Sequence, residues 1–136
     1  LIANHFDWVH SIDSIKIARR LNEQRLGSLP PLNVCLQVNI SEESTKAGIP
    51  LSHLDQMVTE VSLFPHLRLR GVMAIPEPCS EVARQREPFN QLYQAVQRLN
   101  KVRLDTFSYG MSDDLEAAVQ EGSTIVRIGT ALFGSR

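Results

Sequence analysis

The segments Phe107-Ser108-Tyr109-Gly110-Met111-Ser112-Asp113-Asp114 and Ile125-Val126-Arg127-Ile128-Gly129-Thr130-Ala131-Leu132-Phe133-Gly134 decide the fold and also point to a ligand. In each segment an apolar strand pattern ends in a turn that contains glycine. Glycine lets the backbone approach a ligand closely, and a helix N-terminus offers unpaired N–H groups to an anion. Two such turns after consecutive strands are as consistent with a phosphate site as with capped turns that bind nothing.

The composition is that of one globular domain. The chain has 136 residues, of which 43% are hydrophobic, so we expect a single domain spanning 1–136. The formal net charge of -1 gives no electrostatic reason to bind nucleic acid or an anionic membrane. No apolar run approaches the ~20 residues that span a bilayer, and we expect a cytoplasmic protein. The chain begins at Leu1 without a methionine, so we expect a fragment that lacks its N-terminal part.

Strand and helix patterns alternate along the whole chain. They predict strands at 8–12, 34–40 and 69–75, followed by the two segments quoted above as the fourth and fifth strands. Helices are predicted at 14–26, 54–61, 89–99 and 113–121, the last with Ser112 as its N-cap. Such alternation is typical of parallel strands joined by helical crossovers.

Two parallel arrangements fit this pattern, an open doubly wound sheet and a (β/α)₈ barrel. Gln37 and Asn39 alternate with apolar residues in the second strand, and Arg127 lies between Val126 and Ile128 in the fifth. An open sheet is covered by helices on both faces and therefore needs apolar residues on both. A barrel can place polar residues at the mouth of its interior. We therefore expect an α/β chain that forms about the last five of eight βα units of a TIM barrel.

In such a barrel, phosphate groups often bind at the loops after strands seven and eight. Here those loops follow the two quoted segments. Gly110, Met111 and Ser112 would supply backbone N–H groups and a hydroxyl, and Gly129 and Thr130 would complete the site from the neighbouring strand.

Four charged residues bear on this site. Arg127 should project into the interior, where its charge needs a partner that is either an acidic residue or a ligand. Beside a pyridine ring, its guanidinium would keep the ring nitrogen unprotonated. Lys46 follows the second strand and is either a solvated loop residue, a phosphate ligand or a second amine. Asp113 and Asp114 would repel a phosphate, so we expect them to face solvent or basic neighbours.

The remaining candidate ligands predict no metal site. The histidines and the two cysteines, Cys35 and Cys79, lie at no spacing typical of metal ligands. Cys35 falls within a strand pattern, which favours a buried free thiol.

Several segments in order along the chain resemble the pyridoxal phosphate homeostasis protein family, which has the fold of the alanine racemase N-terminal domain. Gly-Met-Ser-Asp-Asp at 110–114 and Arg-Ile-Gly-Thr at 127–130 are specific in combination, although either alone would be weak. The others are Val-His-Ser-Ile-Asp at 9–13, Pro-Leu-Asn-Val at 31–34, Gln-Val-Asn-Ile-Ser at 37–41, Lys-Ala-Gly at 46–48 and Leu-Arg-Gly-Val-Met-Ala-Ile-Pro at 69–76.

The resemblance implies a barrel that binds pyridoxal 5′-phosphate (PLP) and buffers or delivers it in the cytoplasm, without established catalytic turnover. It implies a monomer whose protein partners are PLP-dependent apo-enzymes. Arg127 would face the pyridine nitrogen, and Met73 would lie near the cofactor from the third strand. The phosphate would be surrounded by Gly110, Met111, Ser112, Gly129 and Thr130.

The chain departs from the family in one respect. Family members hold the cofactor through an imine to a lysine on the first barrel strand, in an Ala-Val-Ser-Lys-like segment. Nothing in this chain matches that segment, so we expect the lysine upstream of Leu1 and predict no catalytic residue here. Two alternatives stay open: a PLP-dependent amino-acid racemase, and a barrel that binds a sugar phosphate.

Overall fold

A four-stranded parallel sheet organises the chain in the computed structural model, which describes residues 1–44, 46–100 and 102–135. The strands lie in the order β1 (Trp8–Ile12), β2 (Leu32–Gln37), β3 (Leu67–Met73) and β4 (Thr106–Ser108). The helices are α1 (Ile2–His5), α2 (Ile15–Gln24), α3 (Leu54–Val61), α4 (Val82–Gln97), α5 (Leu115–Gln120) and α6 (Thr130–Phe133). The predicted parallel α/β class is confirmed.

Apolar residues on one face of the sheet form the core with the helices. Val34 and Leu36 of β2 are fully buried there, together with Val58 of α3 and Phe89 of α4. Cys35, which alternates with them, is also fully buried but is not part of this core, so it lies on the opposite face. Burial raises the pKa of its thiol to about 12, which makes it the inert buried thiol that the sequence predicts.

The sheet is strongly curved. β1 and β4 lie at opposite ends of the strand order, and in a flat sheet three spacings of about 4.8 Å would separate them. Nevertheless, His10 Nδ1 of β1 lies 2.8 Å from Ser108 Oγ of β4. The face opposite the helices is therefore the inside of a barrel-like curve, as the polar residues on that face predict.

A polar cluster occupies the N-terminal end of this interior. Arg70 of β3 donates two hydrogen bonds to Asp105, of 3.1 and 3.0 Å, and a third to Asn33 Oδ1. Its guanidinium also lies 4.7 Å from the centre of the Trp8 ring. Hydrogen bonds from Arg70 lower the pKa of Asp105, so the pair stays ionised. These contacts give the charged groups at the N-terminal end of the interior protein partners.

The predicted fifth strand is present only as a single bridge, between Ile125 and Ser108. The extended chain follows β4, since Ile125 N donates to Phe107 O and Arg127 N donates to Gly110 O. A strand needs repeated pairing to persist, and within the described residues no further strand lies on the other side of this segment. The segment is still held where the sequence places it, at the C-terminal end of β4.

Two predicted helix starts are wrong. Helix α4 begins at Val82 and continues through Pro88, although Pro88 has no N–H to donate to the preceding turn. Helix α5 begins at Leu115 with Asp114 in the N-cap position, so Ser112 is not its cap. The hydroxyl of Ser112 accepts a hydrogen bond from the Ala131 N–H instead, at 3.0 Å.

No described helix is both long enough and apolar enough to cross a membrane.

Gly71 allows the close approach of β3 and β4 and gives a test of the curvature. A Cβ atom at this position would lie 1.6 Å from the backbone oxygen of Thr106. We expect Gly71→Ala to lower the free energy of unfolding by at least about 3 kcal/mol, because backbone rather than a flexible side chain has to move.

The matched control is Gly27→Ala, where a Cβ atom meets nothing within 4 Å. Urea denaturation followed by circular dichroism measures both variants. Equal stabilities would show that β3 and β4 are not held together in this way.

Candidate functional site

Two loops meet at the C-terminal end of the sheet. The 110–114 loop follows β4, and the 127–130 loop precedes α6. Ser112 Oγ accepts a hydrogen bond from Ala131 N at 3.0 Å, which joins the two loops directly. The backbone bond from Arg127 N to Gly110 O, at 2.9 Å, joins them a second time. The structure thus brings together five predicted phosphate ligands, namely Gly110, Met111, Ser112, Gly129 and Thr130.

Several hydrogen-bond donors in these loops have no protein partner. Among the described residues, the N–H groups of Ser112, Gly129 and Thr130 donate to no protein acceptor. The hydroxyl of Ser112 accepts a bond and keeps its own proton free, and the Thr130 hydroxyl has no protein partner in the same ranges. Unused donors gathered on two joined loops are well suited to bind an anion.

The two loop glycines differ in why they are needed. Gly110 has a φ of 106° and a Cβ atom there would lie 2.6 Å from the Ala118 Cβ, so both backbone and space require glycine. Gly129 has a φ of -115°, which other residues can adopt. A Cβ atom at Gly129 would meet nothing within 4 Å, so the space beside it is open to a ligand.

The Met111 N–H is already in use. It donates to Asp114 Oδ1 at 2.7 Å, across one turn of the 110–114 loop. Asp114 therefore binds the loop's own backbone, and its charge also acts on a basic neighbour, Arg127. Asp113 is exposed, and among the described residues its carboxylate forms no hydrogen bond or ion pair.

Arg127 points into the interior without an acidic partner. Its Nη2 donates to Ala74 O at 3.2 Å, while its buried Nε has no acceptor. No ion pair with Arg127 occurs among the described residues. Burial lowers the pKa of Arg127, and the charge of Asp114 opposes that shift. The sequence left two partners possible for Arg127, an acidic residue or a ligand. The described residues provide no acidic residue in an ion pair with it.

Two residues that the sequence did not indicate, His10 and Ser108, lie beside Arg127. His10 Nδ1 and Ser108 Oγ are 2.8 Å apart across the interior. Burial, and then the charge of Arg127, lower the pKa of His10, so the ring is neutral near pH 7. The two residues are 98 positions apart in the chain, and only the curvature of the sheet reveals their contact.

Met73 lies in the same row of the sheet as Ser108. It pairs in register with Gln37 on one side and Ser108 on the other. Met73 is 5% exposed and is not part of the core shared with the helices, so its side chain is on the interior face. Met73 also directly precedes Ala74, whose backbone oxygen accepts a hydrogen bond from Arg127.

Lys46 lies at the rim of the interior. Its Nζ is 3.2 Å from Glu43 Oε1. It lines a cavity of about 630 Å³ together with Met111 and Asp114, at the rim of the interior. No group of histidine, cysteine or acidic residues within the described ranges is arranged to hold a metal ion.

Comparison with known families assigns the fold. The model of the family described as alanine racemase, N-terminal domain, matches residues 1–136, and the chain belongs to this family. A relative from Pseudomonas aeruginosa, named pyridoxal phosphate homeostasis protein, is 58% identical over 99% of this chain and 58% of its own length. The protein of the same name from Escherichia coli is 56% identical over 100% of this chain and 59% of its own length. The chain therefore spans a little under three fifths of these relatives.

Solved structures agree with this assignment. PipY from Synechococcus elongatus, solved with PLP bound, is 34% identical with a TM-score of 0.79, over 96% of this chain and 62% of that protein. An alanine racemase from Clostridium difficile is 18% identical with a TM-score of 0.70, over 95% of this chain and 34% of that protein, and it shows the fold alone. The family resemblance and the partial-barrel fold inferred from the sequence are confirmed.

The neutral His10 predicts how stability depends on pH. Its pKa is lowered from 6.5 in the folded state, so the unfolded chain takes up the proton first as the pH falls. We expect the free energy of unfolding to decrease as the pH falls through about 6.5, the usual histidine value. His10→Gln should flatten this dependence.

His53→Gln is the control, because His53 is exposed on the 3₁₀ turn before α3. Urea titrations at pH 7.5 and 5.5 provide the measurement. A pH dependence that is the same in His10→Gln and in the unmodified chain would contradict the assignment.

Proposed function

We propose that this chain binds PLP and serves in buffering or delivering it in the cytoplasm, without catalytic turnover. It would act as one domain that forms part of a barrel. One observation supports this most directly: the 110–114 and 127–130 loops are joined, yet the N–H groups of Ser112, Gly129 and Thr130 are among those that donate to no protein acceptor in the described chain. The names of the relatives and the PLP-bound structure of PipY support the choice of cofactor.

The loops fit the phosphate of PLP. A phosphate monoester has three oxygens that accept hydrogen bonds, and it carries up to two negative charges near neutral pH. Ser112, Gly129 and Thr130 offer backbone N–H groups, and two of these residues add a hydroxyl. The open space at Gly129 would let a phosphate oxygen approach the backbone without a steric clash.

The interior fits the ring of PLP. The buried Nε of Arg127 has no acceptor, which is costly unless a ligand supplies one. A pyridine nitrogen is such an acceptor, and a permanently charged guanidinium beside it would keep it unprotonated. Met73 would pack near the ring from β3. When bound, PLP supplies an aldehyde that reacts with primary amines.

Lys46 would serve as a secondary amine rather than as the main anchor. It lines the rim cavity with Met111, so an aldehyde at the mouth could reach this region. Its contact with Glu43 holds it at the rim instead of at the centre of the interior. The principal lysine remains predicted on the segment upstream of Leu1.

The racemase alternative gains no support from the site. A racemase needs an acid or base on each face of its substrate. A tyrosine hydroxyl can be such a group, and Tyr109 directly precedes the 110–114 loop. However, Tyr109 is fully buried and donates to Glu121 O at 2.7 Å, and burial raises the pKa of its hydroxyl. It therefore does not face a substrate. The similarity to alanine racemase extends to the fold alone.

The protein partners would be apo-enzymes that need PLP, and the chain would act as a monomer.

Removing the free donors should weaken binding of the phosphate. We expect Ser112→Ala and Thr130→Ala each to lower the affinity for pyridoxine 5′-phosphate roughly tenfold, the usual effect of losing a hydrogen bond to a charged group. This ligand carries the same phosphate and ring but no aldehyde, so it reports non-covalent binding alone. Isothermal titration calorimetry gives the affinities.

Ser28→Ala is the matched control, because Ser28 lies in the connection between α2 and β2, away from both loops. Affinities in Ser112→Ala and Thr130→Ala that equal this control would remove the phosphate assignment.

Covalent trapping tests the absence of the main anchor. We expect borohydride reduction in the presence of PLP to label no lysine stoichiometrically, because Lys46 lies at the rim and Lys16 is exposed on α2. Peptide mapping by mass spectrometry measures the label at each lysine. One lysine labelled at one equivalent would show that the chain contains its own anchor.

A further inference from the structure

The 110–114 loop already holds one anion, the carboxylate of Asp114. Its Oδ1 accepts from the Met111 N–H at 2.7 Å. The sequence places this N–H among the expected phosphate donors, together with those of Gly110 and Ser112, and in the structure it donates to Asp114. A carboxylate oxygen and a phosphate oxygen accept the same kind of hydrogen bond from a backbone N–H. Both anions therefore compete for one donor in one short loop.

We propose that Asp114 is a built-in competitor of the phosphate, which lowers the affinity of the site and speeds release of the ligand. The inference rests on the proposed function and adds a means of release to it. A phosphate bound at Ser112 lies next to the Met111 N–H, and hence close to the Asp114 charge. Like charges at such distances repel each other, most strongly where surrounding protein excludes water.

The geometry distinguishes Asp114 from its neighbour Asp113. Both carboxylates line the same rim cavity and carry the same charge. Asp113 is exposed, and in the described chain its carboxylate bonds to nothing, whereas Asp114 binds the loop backbone directly. The charge of Asp114 also acts on the half-buried Arg127, on the interior side of the site. A general effect of negative charge at the rim would involve both residues equally, but competition for the Met111 N–H involves Asp114 alone.

A structural role in the turn before α5 is the alternative. Asp114 is the N-cap residue of α5, although its side chain makes no capping bond to that helix, and its contact with the Met111 N–H stabilises the turn that leads into it. That role needs an acceptor oxygen but no charge. The substitution Asp114→Asn keeps such an oxygen for the Met111 N–H, so the turn keeps its hydrogen bond. The neutral amide oxygen is a weaker acceptor than a carboxylate and does not repel a phosphate, so the competition is reduced while the structural role is kept.

The test compares Asp114→Asn with Asp113→Asn in the 136-residue chain. Affinities for pyridoxine 5′-phosphate and for inorganic phosphate are measured by calorimetry at low salt, with release of the former followed by stopped-flow fluorescence. Thermal denaturation of both variants confirms that they are folded. We expect Asp114→Asn to bind both ligands about five- to tenfold tighter and to release the ester more slowly, whereas Asp113→Asn changes affinity less than about twofold.

Each outcome bears on one of the two proposals. If the unmodified chain binds the ester and Asp114→Asn binds it equally or more weakly, Asp114 only stabilises the turn before α5 and the competition is disproved. If both variants tighten equally, the effect is general charge and the competition is also disproved. If neither the chain nor its variants bind either ligand, the proposed function itself fails. Tighter binding of the ester but not of inorganic phosphate would place the competition at the ring, and would likewise overturn it.

Discussion

The curvature of the sheet is the constraint on which the rest of the structure depends. Four parallel strands place their apolar face against the helices, and the sheet then bends until His10 of β1 contacts Ser108 of β4 at 2.8 Å. Because of this bend, the polar face of the sheet lines an enclosed interior. The bend converts Cys35, Met73 and Arg127 from residues on an open face into residues that line a common interior. At Gly71 the bend requires a residue without a side chain, because β4 backbone fills the space where a Cβ would lie.

The polar groups at the N-terminal end of the interior have protein hydrogen-bond partners, whereas some of those at the C-terminal end do not. At the N-terminal end, Arg70 has Asp105 and Asn33 as partners, and its charge is compensated. At the C-terminal end, Arg127 has one backbone acceptor and a buried Nε without any, and the adjoining loops keep free N–H groups. Buried polar groups in a folded protein are normally paired, since an unpaired one costs free energy. The contrast between Arg70, which is paired, and Arg127, whose buried Nε is not, underlies the ligand site that we propose.

The sequence predicted the parts of this arrangement that depend on local pattern. Alternating polarity in strand 34–40 and around Arg127 was enough to distinguish a barrel from an open sheet, and the glycine-containing loops were placed correctly beside each other. The sequence-based prediction failed where a contact with a residue elsewhere in the chain determines the local structure. Ser112 is a good N-cap by type, but its hydroxyl binds Ala131 on the other loop. The contact of His10 with Ser108 joins residues 98 positions apart, and no local sequence pattern predicts it. The fifth strand has strand-like residues, yet pairing on one side alone leaves it as a single bridge.

Under the proposed function, the position of Asp114 distinguishes a site for a carried cofactor from a site for a retained one. An enzyme gains from holding its cofactor tightly, whereas a protein that hands the cofactor on must also let it go. Affinity is changed mainly through the rate of release, so a site can be tuned by one group that competes with the ligand for a donor. A carboxylate in the phosphate loop does this without disturbing the fold, because it binds the Met111 N–H whenever the ligand is away. The loop then never exposes that donor without a partner, and ligand exchange becomes a replacement of one anion by another.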